Sequence, residues 1–201
     1  MTRLHIRTIG MVSILTGLVV FAGGMIHLGL RIPWGHWLMV LGDFLLVFTI
    51  TGLYAVQSRQ SGLSGLAAYA LTITGLLVKT ATDFIFLPDI YGIEAARDLW
   101  EYLYIDLPLV LPGAFAALVG LVLFGLVTVY ARVLPRWSGI ILSLAAIINL
   151  PGQILDSMIV LYELSLLMLL ISLTWIGGYL LARSFNIKVT NEAQSLLPDI
   201  P

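Results

Sequence analysis

The run 107–130, LPLVLPGAFAALVGLVLFGLVTVY, holds no charged residue and no Asn, Gln or His across its 24 positions. Such a segment has little to offer water. Coiled into a helix, about 20 apolar residues cross a hydrocarbon core roughly 30 Å thick while the backbone satisfies its own hydrogen bonds. Working outward from this run, comparable stretches occupy 9–30, 37–56, 63–87, 137–155 and 157–182. The sequence therefore predicts an all-α integral membrane bundle of six transmembrane helices. Composition agrees, with 60% hydrophobic residues, 10% charged residues and a mean hydropathy of +1.03, where soluble domains carry roughly 25% charged residues. The fifth run is the least regular. It carries Pro151 and Gly152 near its end and a short link to the sixth, so a broken or re-entrant segment is its competing reading.

Lys and Arg orient the bundle. With an even number of spans and the N-terminus inside, Arg3, Arg7, Arg59, Arg132, Arg136, Arg183 and Lys188 fall on the cytoplasmic side and only Arg31 and Arg97 outside. This asymmetry is the positive-inside bias. It predicts an N-in, C-in, multi-pass protein of the cell membrane, specifically a bacterial inner membrane, with residues 1–185 as the transmembrane domain. The stretch 186–201, polar and with two prolines, reads as a flexible cytoplasmic tail. Between the third and fourth spans, Ile93, Ala96, Trp100, Leu103 and Leu107 recur at helical spacing opposite Glu94, Asp98 and Glu101. This predicts a short amphipathic helix on the outer surface. Trp34, Trp37, Tyr91, Trp100, Tyr102 and Tyr104 lie at the same level, as an aromatic belt does.

Several function classes drop out. A net charge of −1 without a basic block leaves no electrostatic footprint for nucleic acid. The absence of cysteine removes disulfides, thiolate metal ligands, cysteine nucleophiles and cysteine-linked haem or lipid. Arg3 and Arg7 ahead of an apolar run could open a secretory signal, but the run continues to Leu30 without a small-residue cleavage site and reads as a retained first helix. Gly62-Leu63-Ser64-Gly65 spells the G-x-S-G of rhomboid proteases, yet all three histidines lie elsewhere, His5 on the cytoplasmic tail and His27 and His36 near the outer face, and a serine nucleophile needs its base within hydrogen-bond reach. No zinc-protease, P-loop or dinucleotide motif occurs. His27 and His36 are the only histidine pair for a membrane haem, and His36 sits at a span edge. No catalytic residue, metal ligand or cofactor is therefore assigned.

Gly10, Ser13, Gly17, Gly24 and His27 form one stripe of small residues ending in a histidine. In lipid such stripes let helix backbones approach closely, so this face should meet protein. His27 reads either as a buried imidazole bonded to a neighbour or as a ligand or proton carrier. In the second span, Asp43 lies seven residues after His36, about 10.5 Å further along the axis. In the third, Lys79 and Asp83 are spaced i, i+4, so their side chains can meet. That spacing serves an ion pair, a proton relay or a substrate contact.

Depth ties these residues together. His27, Asp43, Lys79, Asp83, Asn149, Gln153, Asp156 and Glu163 all fall in the outer halves of their spans, while the inner halves are almost wholly apolar. Four carboxylates (Asp43, Asp83, Asp156 and Glu163) face one lysine there. A water-filled outward pocket with that balance favours a small cationic or hydroxyl-rich ligand over an anion. The geometry expected is one cavity onto which Asp43, Asp83 and Glu163 converge, beneath the amphipathic segment around Trp100. His27, Asp43, Lys79, Asp83, Asp156 and Glu163 are thus the candidates for ligand binding or proton relay.

Gly23-Gly24-Met25-Ile26-His27, Trp34-Gly35-His36-Trp37 and Gly52-Leu53-Tyr54-Ala55 resemble a broad set of small bacterial six-helix membrane proteins without an assigned activity. The resemblance covers the first third of the chain and implies the membrane class, not a reaction. Size, helix count and the N-in, C-in arrangement also look like the substrate-capture subunits of energy-coupling-factor vitamin transporters, whose ligand pocket opens outward. Their first helix typically shows A-x-x-x-A, and Ser13-x-x-x-Gly17 stands in its place here. The expectation is a non-enzymatic bundle in the lipid bilayer that binds or moves a small solute. The alternative is a structural or regulatory subunit that packs on a membrane-protein partner.

Overall fold

The computed structural model describes residues 2–29, 34–90, 110–154 and 159–195, and these are all-helical. The elements are α1 (Arg3–Gly24), a π-helical turn (Met25–Gly29), α2 (Trp34–Ile90), α3 (Val110–Ala131), α4 (Arg136–Ile154) and α5 (Ile159–Ser195). Four segments are long and apolar enough to cross a membrane: Arg3–His27, Trp34–Ile85, Leu111–Ala131 and Ile159–Asn186. Arg136–Pro151 is a shorter apolar helix.

Helix α2 joins the second and third expected runs in one element of 57 residues, about 86 Å if straight at 1.5 Å per residue. It is not straight. Gly62 takes φ +56° and ψ −144°, a conformation that a Cβ makes costly and that glycine adopts freely. The two arms, 34–61 and 63–90, fold back on each other about this residue. Tyr54 stacks on Tyr69 with ring centroids 4.5 Å apart, and Trp37 meets Phe84 edge to face. Each pair lies equidistant from about residue 61, as an antiparallel hairpin requires.

With the arms of α2 counted separately, six helical rods close into a ring. Among the described residues, extensive contacts join only neighbours along the chain, plus α1 with α5. Each joint is antiparallel, as its contacts show: Gly23 against Leu38 and Val20 against Gly42 for α1 and α2, then Thr72 against Gly120 and Val78 against Gly113 for α2 and α3. An alternating ring closes this way only with an even number of rods, and it brings the chain's first and last helical residues to one end.

Polar side chains and glycines mark the joints, as expected where packing rather than hydrophobicity drives association. Thr16 and Thr49 hydroxyls are 2.7 Å apart across α1–α2. Ser13 donates to the Leu173 carbonyl across α1–α5, Ser172 to the Ser138 carbonyl across α5–α4, and Ser143 to the Val122 carbonyl across α4–α3. At α2–α3 the backbones themselves touch, since a Cβ on Gly75 would overlap Ala116 and Ala117. The small-residue stripe of α1 packs on α5: Gly10 against Gly177 and Leu181, Gly17 on Leu170 and Gly24 on Leu166.

Inside the ring, Leu53, Phe124, Leu142, Leu173, Ile176 and Leu180 fill the half nearer the chain's N-terminus. Large apolar residues also face outward around the circumference, among them Leu15, Phe48, Leu77, Phe115, Leu123, Leu144 and Leu167.

Two helix ends bear on the expected bounds. The fifth run is a regular helix through Pro151 as far as Ile154. Pro151 falls in its last turn and, lacking an N–H, forgoes the bond to the Ile147 carbonyl without ending the helix. Helix α5 continues beyond Ala182 through the first part of the expected tail, to Ser195. The tail's Lys, Glu, Ala and Gln extend a helix that is already nucleated, and its first proline comes only at 198. The amphipathic segment around Trp100 and the link 155–158 lie outside the described residues.

Candidate functional site

Three charged side chains meet where the two arms of α2 face each other near the open end of the hairpin. Lys79 Nζ donates to Asp83 Oδ2 at 2.6 Å, one turn along the same arm, and to Asp43 Oδ2 at 2.6 Å on the opposite arm. Side-chain exposures are 20% for Lys79, 10% for Asp43 and 23% for Asp83. The i, i+4 spacing dictates the first contact. The second follows from the hairpin register set at Gly62, which brings Asp43 opposite Lys79. One ammonium between two carboxylates leaves the cluster with a formal charge of −1.

A histidine pair adjoins it. His36 Nε2 donates to the Asp83 carbonyl at 3.2 Å, so Asp83 links the two groups, its side chain bonding Lys79 and its backbone His36. The His27 and His36 rings meet edge to face with centroids 5.1 Å apart. A Cβ on Gly35 would overlap the His27 backbone, so this joint needs glycine at 35. His27 lies in the π-helical turn, a departure from α geometry that recurs at functional sites.

Below the cluster, toward the packed half, lies a cavity of about 70 Å³. Each of the five helices contributes to its wall. Asp43 and Lys79 point into it with Asn149 of α4 and Tyr162 and Ser165 of α5, and Leu46, Leu76, Ala117, Leu121, Leu142 and Ala146 make up its apolar part. Asn149 Nδ2 donates to Ser165 Oγ at 2.8 Å, and Ser165 Oγ donates to the Tyr162 carbonyl at 2.7 Å. One side is therefore polar and hydrogen-bonded while the rest is hydrocarbon.

No family model, curated protein or solved structure matches this chain. The resemblances drawn from the first third of the sequence and from helix count find no support there, and the site must be read from its own geometry.

The expected three-carboxylate cavity differs in composition. Asp43 and Asp83 converge on Lys79, but only Asp43 and Lys79 line the cavity. Glu163 is half-buried and joins neither the ion cluster nor the cavity wall. Consecutive residues on a helix project about 100° apart, so α5 cannot turn both Tyr162 and Glu163 inward. His27 meets His36 rather than a carboxylate side chain, and Asp156 lies outside the described residues. Tyr162 and Ser165 belong to the site although the sequence did not single them out. Their signal was faint: a hydroxyl pair at i, i+3 near the start of an apolar run. Among the described residues, no group of three or more His, Cys, Asp or Glu could hold a metal ion.

Proposed function

We propose that the chain is a six-span protein of the cell membrane, with both termini cytoplasmic, whose central cavity binds a small solute admitted from the outer face. The antiparallel ring of six rods supports an even number of crossings, and the cations gathered around its other end support the orientation. The observation that carries the binding reading is that Asp43, Lys79, Asn149 and Tyr162 turn into one otherwise apolar cavity. A purely structural ion pair has no need of such a space.

The lining defines the ligand. A formal charge of −1 on the cluster favours a cationic or hydroxyl-bearing head over an anion. The hydrocarbon wall favours an apolar body over a hydroxyl-rich one, and the solute best matched is a small amine or alcohol with a single polar head. At about half the size of an engineered cavity that holds benzene, the cavity admits a larger body only if the rods part.

The test is extraction of the full chain in mild detergent, followed by mass spectrometry of small molecules that co-purify. The expected result is a reproducible amine or alcohol that is lost in Ala146→Leu, which fills the cavity and leaves the ion cluster intact. A stoichiometric protein partner with no small molecule would overturn this reading in favour of a subunit of a membrane complex.

A further inference from the structure

At the end of the ring opposite the ion cluster, a cleft of about 540 Å³ opens where the close of α3, the bend of α2 and the C-terminal part of α5 meet. Gln60, Arg132, Tyr179, Arg183 and Asn186 supply its polar lining, and no carboxylate is among its wall residues. Neither arginine has an ion-pair or hydrogen-bond partner among the described residues. Among the described residues, two guanidinium groups therefore share one concavity with no carboxylate in its wall.

The backbone at Arg132 adds an independent observation. It closes α3 with φ +56° and is the only residue other than glycine with positive φ among the described residues. Helices commonly end on such a left-handed residue, and glycine normally takes the position because a side chain there costs roughly 1–2 kcal/mol. An arginine held in that conformation projects from the helix end into the cleft. Strain kept at one residue points to a use for its side chain.

We infer that this cleft binds a phosphate group through Arg132 and Arg183. Guanidinium forks match phosphate oxygens with paired, charge-assisted hydrogen bonds, and Gln60 adds a donor. Exposed Tyr130, Tyr179 and Trp137 ring the same level, as side chains at a membrane interface do. With the orientation proposed above, the cleft opens at the headgroups of the anionic cytoplasmic leaflet. The shared chemistry is the phosphate, whether it belongs to a lipid headgroup or is free in solution; only the lipid source rests on the membrane orientation.

The full chain in mild detergent is titrated separately with phosphatidylglycerol, with phosphatidylcholine of the same acyl chains and with inorganic phosphate, and bound species are counted by native mass spectrometry. Arg132→Gly and Arg183→Gln are each expected to weaken binding about tenfold, the loss of one charge-assisted contact. Arg132→Gly also relieves the left-handed backbone, so its melting temperature should hold or rise, which separates lost binding from lost fold. Preferential phosphatidylglycerol binding that falls in both variants assigns the site to a lipid. Inorganic phosphate binding that falls in both, without lipid preference, assigns it to a soluble phosphate. Binding unchanged in the variants, or equal uptake of the two lipids with no phosphate binding, overturns the inference.

Discussion

Asp43, Lys79 and Asp83 at one end of the ring bond to one another within the bundle, whereas Arg59, Arg132, Arg136 and Arg183 at the other end stand exposed with no ion-pair partner among the described residues. The difference follows from what surrounds each set. A charge within an apolar helix must find its opposite close by, because hydrocarbon supplies no solvation. A charge at an exposed rim is solvated there and needs no partner from the protein. One end is thus built to hold charge in a fixed internal arrangement, and the other to present charge outward.

The contrast breaks most completely if the two ends are exchanged across the membrane. Cysteines introduced at Ser58 and Thr190 are expected to resist a membrane-impermeant thiol reagent in intact cells, while one at Ala95 labels. Labelling at Ser58 from outside would reverse the orientation and remove the leaflet argument with it.

Next in size is the ion cluster. Lys79→Met leaves two carboxylates facing each other and should destabilise the protein by on the order of 3–5 kcal/mol, read as lost monodisperse yield and a lower melting temperature. Because Lys79 serves both carboxylates, adding Asp83→Leu alone restores only part of the loss. Adding Asp43→Leu as well should restore most of it. A triple variant as unstable as Lys79→Met would show that the three residues do not act as a unit.

The register that assembles the cluster depends on one residue. Gly62→Val forces a branched side chain into a conformation costing roughly 1–3 kcal/mol, and its melting temperature should fall while Leu63→Val, one position on, changes little. Equal melting temperatures for the two would remove Gly62 as the determinant of the fold-back.

The smallest expected effect lies near the arginine end. Gln57 is fully buried, and its amide has no protein partner among the described residues. Gln57→Met keeps the length of the side chain and removes the desolvated amide, so it should stabilise the protein by about 1 kcal/mol. A loss of stability instead would mean that the amide makes bonds worth keeping.

The helical class and most of the helix positions were legible because an uncharged run such as 107–130 has few alternatives. Lys79 with Asp83 was legible for a similar reason, since helix geometry alone brings i and i+4 together. Depth placed Asp43 near them, but its direct bond to Lys79 was not legible, because the two are 36 residues apart and meet only through the bend at Gly62, one of 19 glycines in the chain with nothing local to set it apart. The stripe from Gly10 to Gly24 announced a protein-facing surface but not that α5 would fill it, since small residues accept any close neighbour. Glu163 misled for a related reason: depth places a residue along the membrane normal and is silent about rotation. Where both faces of a helix are apolar, the amphipathic period that orients soluble helices carries little information.

The joint between α1 and α5 gives the ring a particular assembly history. Every other joint forms between segments adjacent in the chain, so a nascent polypeptide can add rods one at a time, each docking on the one just made. The seam alone unites the first helix with the last, and its large separation in sequence makes it the contact with the greatest loop-closure cost. Until α5 arrives, the glycine stripe of α1 stands uncovered and the cavity lacks Tyr162 and Ser165. A chain cut short before residue 159 would therefore be an open arc with an unfinished cavity, however well its earlier helices had formed. Whatever the cavity holds can enter its finished form only after synthesis has reached the final helix.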